Sequence, residues 1–217
     1  MKVVVSLGGS VLSLDNPGYM AEVASLIKKV AKEMDIYVVV GGGKTARKYI
    51  STARKFCNDE RYLDRMGIMA TRMNAMLLNS FFRKRIPHSI EYAARMKTPV
   101  IMGGTTPGHS TDAVAAMLAA KIKASRLIIA TDVDGVYDRD PKKHRDARKM
   151  DRISIKVLRR MAGEGWREAG KSAVIDAIAC RIIEENAIPT FVLNGKKLEE
   201  LENAIYGREF NGTVVEI

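Results

Sequence analysis

Short apolar runs that stop abruptly at glycine or at an acidic turn, with helix-length segments between them, constrain this chain most. Val3–Leu7 stops at Gly8-Gly9, Ile36–Val40 at Gly41-Gly42-Gly43, and Val100–Met102 at Gly103. Leu127–Ala130 stops at Thr131-Asp-Val-Asp-Gly135, and Thr190–Leu193 at Asn194-Gly195. A run that is apolar throughout is a strand covered on both faces. Between the runs, apolar residues recur at helical spacing. They are Met20, Val23, Ile27, Val30 and Met34; Leu63, Met66, Ala70, Met73, Leu77 and Phe81, between Glu60 and Lys84; and Val174, Ile175, Ile178, Ile182 and Ile183. Lys44 to about Cys57 and Leu198–Tyr206 predict further helices, and Thr213–Ile217 a closing strand. The alanine-rich stretch after Asp112 predicts a helix to Lys121, capped by Ser110 or Thr111. The methionines between Glu60 and Lys84 read as core filler. Strands alternating with helices fold as an α/β protein, a largely parallel sheet with helices on both faces. No linker, repeat or low-complexity segment divides the 217 residues, so one domain over 1–217 is expected, with Asp138–Asp151 as a surface excursion.

The chain carries 36 Lys+Arg against 25 Asp+Glu, a net +11. The basic residues are scattered, with no aromatic-basic interleaving, so a solvated surface that attracts polyphosphates accounts for them better than nucleic-acid binding. No apolar run approaches the roughly 20 residues of a membrane span. The first strand follows Met1 directly, which leaves no room for a signal peptide, and a cytoplasmic protein is expected. Cys57 and Cys180 form no CxxC pair, and His88, His109 and His144 lack metal-ligand spacing, so no protein-held metal is expected.

The turns carry the chemistry. Gly8-Gly9-Ser10 lets an anion approach the backbone, or is simply a tight turn. Gly41-Gly42-Gly43 opens a helix bearing Lys44 and Arg47, where free N–H groups and two full charges gather. Thr105-Thr-Pro-Gly-His-Ser-Thr-Asp112 is too elaborate for a plain helix cap; His109 in it either touches a substrate or lines a surface loop. Thr131-Asp-Val-Asp-Gly-Val-Tyr-Asp-Arg-Asp-Pro141 lies at the carboxyl end of a strand, where open sheets bind ligands; taken alone it also reads as a hairpin. G-x-G-x-x-G does not occur, and none of these four turns carries G-x-x-x-x-G-K-[ST].

These four motifs, in this order, resemble the amino acid kinase family and, within it, the archaeal-type uridylate kinases. The most specific parts are Val39–Ile50, Gly67–Ala75, Met102–Ala116 and Thr131–Pro141. The resemblance implies a three-layer α/β/α sandwich and transfer of a phosphoryl group from Mg-ATP to UMP, giving UDP and ADP for pyrimidine nucleotide synthesis. It implies an acceptor-holding amino-terminal half, an ATP-holding carboxy-terminal half, Mg²⁺ bound with ATP, and a homo-oligomer, a hexamer in related members. By the same likeness Gly9, Ser10, Gly43, Arg47, Thr131, Asp132, Tyr137 and Asp140 would hold ATP. Gly42, Asp64 and Thr106, Pro107, Gly108, His109, Ser110, Thr111 and Asp112 would hold UMP. Asp112, Asp176 and Lys44 would be catalytic.

Two positions depart from that pattern. Many relatives carry a lysine two residues before the first glycine of the Gly-Gly turn and another directly after the threonine of the Thr131 motif. Here these positions are Ser6 and Asp132. Lys44, Arg47 or Lys171 is expected to supply the missing charge. Two alternatives stay open: another small-acceptor kinase of the family, such as one for isopentenyl phosphate, and a non-catalytic nucleotide- or nucleic-acid-binding protein.

Overall fold

The computed structural model describes residues 1–163 and 174–217. In chain order the elements are β1 (Lys2–Leu7), α1 (Pro17–Val30), β2 (Asp35–Val40), α2 (Gly43–Ala53), α3 (Glu60–Asn79), α4 (Ile90–Ala93), β3 (Val100–Met102), α5 (Thr111–Ile122) and β4 (Arg126–Thr131). Then come β5 (Val136–Tyr137), β6 (Lys149–Met150), β7 (Arg152–Ser154), α6 (Ile155–Ala162), α7 (Ala177–Glu185), β8 (Thr190–Asn194), α8 (Leu198–Tyr206) and β9 (Gly212–Glu216). Seven strands form one sheet in the order β3-β2-β1-β4-β8-β9-β7, parallel except where β8 meets β9. Two-residue strands β5 and β6 pair antiparallel and close the excursion foreseen over Asp138–Asp151.

Strand periodicity sorts the core into two sides. Val4, Tyr37, Val39, Leu127 and Ile129 face one side, with the buried residues of α5, α6 and α7. Val3, Val5, Leu7, Ile36, Val38, Ile128 and Ala130 face the other, with α1 and α8. Helix–sheet–helix layering follows, as the resemblance implied. The helix α5 explains its own composition. Ala113, Val114, Ala115, Ala116, Leu118 and Ala119 are at most 1% exposed, because α5 lies between the sheet and α7. Small side chains let it approach both at once.

Several expected boundaries shift. Lys44 is the second residue of α2, not the first, and α2 stops at Ala53 in a turn before Cys57. Met34 and Phe81 lie past the ends of α1 and α3. Val174 and Ile175 precede α7, whose cap is Asp176. The reading of the α3 methionines is corrected. Met69, Met73 and Met76 are 58%, 61% and 66% exposed, and only Met66 is half-buried. The buried face of α3 is Leu63, Ile68, Ala70, Thr71, Asn74, Ala75 and Leu78, because the helix turns a partly polar stripe toward the sheet edge and α2. No helix among the described residues is long and apolar enough to cross a membrane.

Replacing Ala116 with Leu forces extra methylenes between sheet and helix. It is expected to lower unfolding free energy by about 1–3 kcal/mol in urea denaturation; an unchanged midpoint would mean that α5 has room to move.

Candidate active site

The parallel register brings the carboxyl ends of β1, β2 and β4 to one edge, with Leu7 opposite both Val40 and Ala130. The turns that follow are stitched to their neighbours: Gly8 N donates to Ala130 O at 2.8 Å, and Gly41 N to Leu7 O at 2.9 Å. Gly43 has φ +58, and its backbone meets that of Gly9 so closely that a Cβ on either would overlap the other residue. Only glycine fits at both places. This contact forms the floor of a cleft of about 440 Å³.

The walls come from α3 and α5. Asn74 Nδ2 donates to Gly41 O at 2.9 Å. Thr71 Oγ1 accepts from Gly104 N at 2.7 Å, and Arg72 donates to Gly104 O and Thr105 O at 3.1 and 3.2 Å. Asp64 accepts from Gly108 N at 2.9 Å, which ties the 105–110 loop to α3; burial nevertheless raises its pKa. His109 Nδ1 lies 3.0 Å from Thr106 Oγ1. Ser110 is the cap of α5, accepting from Ala113 N at 3.0 Å.

Ser6 belongs to the β1 face that meets α5, and its hydroxyl donates to Asp112 Oδ1 at 2.5 Å. Asp112 therefore has a neutral partner at the position where many relatives carry a lysine. Burial of the carboxyl, helped by the nearby charge of Asp176, pushes its pKa from 3.8 up to about 7, against the opposing Ser6 bond. Asp176 caps α7 by accepting from Ile178 N and Ala179 N at 2.9 and 3.1 Å, and it also accepts from the Ser110 hydroxyl. The two caps are thus joined, and Asp176 is more than a helix-start acid.

Of the expected acceptor residues, Gly42, Asp64, Pro107, His109, Ser110, Thr111 and Asp112 line the cleft, while Thr106 and Gly108 shape the loop behind it. Of the expected ATP residues, Gly9, Ser10, Gly43, Arg47, Thr131 and Asp132 line it. Tyr137, on β5, and Asp140 do not. Lys44 opens instead onto an adjoining cavity of about 1070 Å³, which shares Gly9, Ser10, Arg47 and Asp132 with the cleft. Lys171 lies outside the described residues. Thr71, Arg72 and Asn74 lie within the Gly67–Ala75 motif, but the sequence assigned them no role. Their signal was a polar stripe at helical spacing inside an otherwise apolar face of α3, continuing from Asp64.

A glycine-floored cleft at the carboxyl edge of such a sheet is where the family comparison bears. The model of the amino acid kinase family matches residues 1–194. The chain belongs to the amino acid kinase family. It is 46% identical to a uridylate kinase of Archaeoglobus fulgidus, over 99% of this chain and all of that one. It is 45% identical to a uridylate kinase of Methanocaldococcus jannaschii, over the whole of both. The crystal structure of uridylate kinase from Archaeoglobus fulgidus superposes with a TM-score of 0.88 at 44% identity, covering both chains completely. The crystal structure of UMP kinase from Ureaplasma parvum, 23% identical, shares the fold with a TM-score of 0.77.

The raised pKa of Asp112 carries a stability signature. Its folded-state value exceeds its unfolded value, so ionisation opposes the fold: stability from this group is complete below pH 4 and is lost as pH climbs toward 7. Asp112→Asn keeps an acceptor for Ser6 but cannot ionise. Its melting temperature is expected to gain on the parent between pH 5 and pH 8; an equal difference at both would mean that Asp112 titrates normally.

Proposed function

We propose that this chain is a uridylate kinase that moves the γ-phosphoryl group of Mg-ATP to UMP, reversibly giving UDP and ADP for pyrimidine nucleotide synthesis. The observation that carries this reading is one cleft in which two glycine turns, the capped start of α5 and Arg47 converge. Whole-length relatives named for this reaction support it.

In this reading the amino-terminal half holds UMP. Asp64, pinned by Gly108, presents its second carboxylate oxygen to a ribose hydroxyl, and the loop through Thr111 wraps phosphate and base. Gly9, Ser10, Gly43 and Arg47 receive the ATP phosphates, with Thr131, Asp132, Tyr137 and Asp140 toward adenine and ribose. Asp112 and Asp176 organise the centre. The acceptor phosphate oxygen is already anionic, so no general base is needed. The chain's work is alignment of two polyanions and relief of their repulsion.

The residues fit a Mg²⁺ that travels with ATP. Among the described residues no three His, Cys, Asp or Glu side chains gather to hold a metal, while Asp112 and Asp132 offer hard oxygen donors at the cleft. Mg²⁺ would supply neutralisation of the polyphosphate. Mg-ATP is a cytoplasmic metabolite, which supports a cytoplasmic enzyme. Nucleic acid and membrane have no part in this reading. Self-association into a homo-oligomer is supported by the exposed stripe of Met69, Met73, Met76 and Leu77 along α3, a larger apolar face than a lone helix usually shows to water.

ADP release with Mg-ATP is expected to be fast with UMP and slower by at least roughly tenfold with CMP, dUMP or isopentenyl phosphate, since a missing or altered polar contact costs about 1–3 kcal/mol. Turnover on isopentenyl phosphate alone would keep the family and reject the acceptor; silence on all four would favour a binding protein. Met73→Glu is expected to lower the mass seen by sedimentation relative to the parent, because burying a charge in an apolar contact is costly; identical masses would acquit α3.

A further inference from the structure

The cleft must receive two polyanions, yet its own acids, Asp64, Asp112 and Asp132, outnumber the full cations that line it among the described residues, Arg47 and Lys142. Arg47 rises from the first turns of α2. Lys142 comes from the basic excursion after β5 and reaches back to the end of β4. Its Nζ meets Asp132 Oδ2 at 2.5 Å. Partial burial would raise the pKa of Asp132, but the Lys142 ammonium outweighs this and holds it below the usual carboxylate range.

Three local devices aim this lysine. Pro141 has its own φ fixed by its ring and restricts the backbone of the preceding Asp140. Asp140 Oδ1 accepts from Lys142 N at 2.9 Å, an Asx-type turn that fixes where the side chain departs. Asp132 then holds the ammonium beside Thr131, and the strand end at Ala130 is bonded to Gly8 of the first glycine turn. The Lys142 side chain is 58% exposed, and an ion pair so open to water contributes little to stability. Such positioning of a solvated lysine has little structural purpose.

We propose that Lys142, oriented by Asp132, is the cation that meets the phosphoryl group in transit, supplying from a loop the charge that Ser6 and Asp132 themselves do not carry. The proposal rests on the phosphoryl-transfer reading of the cleft. An acceptor phosphate oxygen forms its bond to the γ-phosphorus as the bond from that phosphorus to the β–γ bridging oxygen breaks. The electron pair leaves with ADP. Lys142 neither gives nor takes a proton; it offsets negative charge on the three equatorial oxygens. Asp132 is a positioning residue. Lys44, on the outer cavity, is a lesser contributor.

The test compares the full-length protein with Lys142→Met, Lys142→Arg, Asp132→Asn and Lys44→Ala in steady-state turnover of Mg-ATP and UMP. Lys142→Met is expected to lower kcat about 100-fold with KM for UMP within about threefold, the range for removing one preorganised charge contact. Lys142→Arg recovers at least about a tenth of parental kcat, Asp132→Asn loses about tenfold, and Lys44→Ala loses less than Lys142→Met. Melting temperatures stay within about 2 °C of the parent. A Lys142→Met enzyme within about threefold of parental kcat overturns the proposal, as does a loss that Arg does not relieve and that follows a fall in melting temperature. If the parent does not phosphorylate UMP, the uridylate kinase reading fails by itself. Calorimetry with Mg-AMP-PNP and Mg-ADP then decides Lys142: about tenfold weaker binding of the triphosphate alone supports the lysine, and equal effects on both ligands overturn it.

Discussion

The hydrogen bond from Ser6 to Asp112 joins the central strand to the helix that governs the cleft, and most of the site depends on that junction. It exists because α5 is buried almost completely between sheet and α7, so its first turn has no freedom to drift. From Asp112 the connection runs outward through Ser110, cap of α5, to Asp176, cap of α7. Two helix starts and one strand are thereby tied together through the first turn of α5. Burial of the Asp112 carboxyl, with Asp176 nearby, outweighs the hydrogen bond from Ser6, so a group of ordinary pKa 3.8 rises to about 7.

The second constraint is steric. Gly9 and Gly43 bring two backbones closer than any side chain allows. Around that floor the cleft is asymmetric. On the α3 side, Thr71, Arg72 and Asn74 spend their hydrogen bonds on the loop and turn backbones and so define shape. On the β4 side, half-buried Asp132 and the more exposed Lys142 form an ion pair, which under our proposal exchanges its partner for phosphate. Shape on one side and exchangeable charge on the other suit an enzyme that holds an acceptor rigidly and passes a phosphoryl group across.

The sheet, its carboxyl-edge turns and the capped α5 were legible because they rest on local rules: apolar runs for buried strands, glycine for close backbone approach, serine for a cap. Helix ends were less legible. Val174 and Ile175 match the stripe of α7 in spacing, yet the cap at Asp176 excludes them. The methionines of α3 misled for a related reason. Period 3.6 marks two faces of a helix equally well, and only the position of α2 and the sheet decides which is inside.

By itself, then, the sequence determined the α/β class, the glycine and acidic turns at the carboxyl ends of the strands, and the absence of lysine at positions 6 and 132, because each depends on residues close together in the chain. Tertiary structure alone decided that Lys142 is the residue brought back to Asp132, and that Lys44 opens onto the neighbouring cavity. It also decided that Asp176 reaches across to Ser110, and that Thr71, Arg72 and Asn74 build the wall. These contacts join residues from separate elements, and their distances follow from how α3, α5 and the loop after β5 settle against the sheet edge. A charge has the same sign wherever it stands in a sequence; what it can act on depends on the side chain that the fold sets beside it.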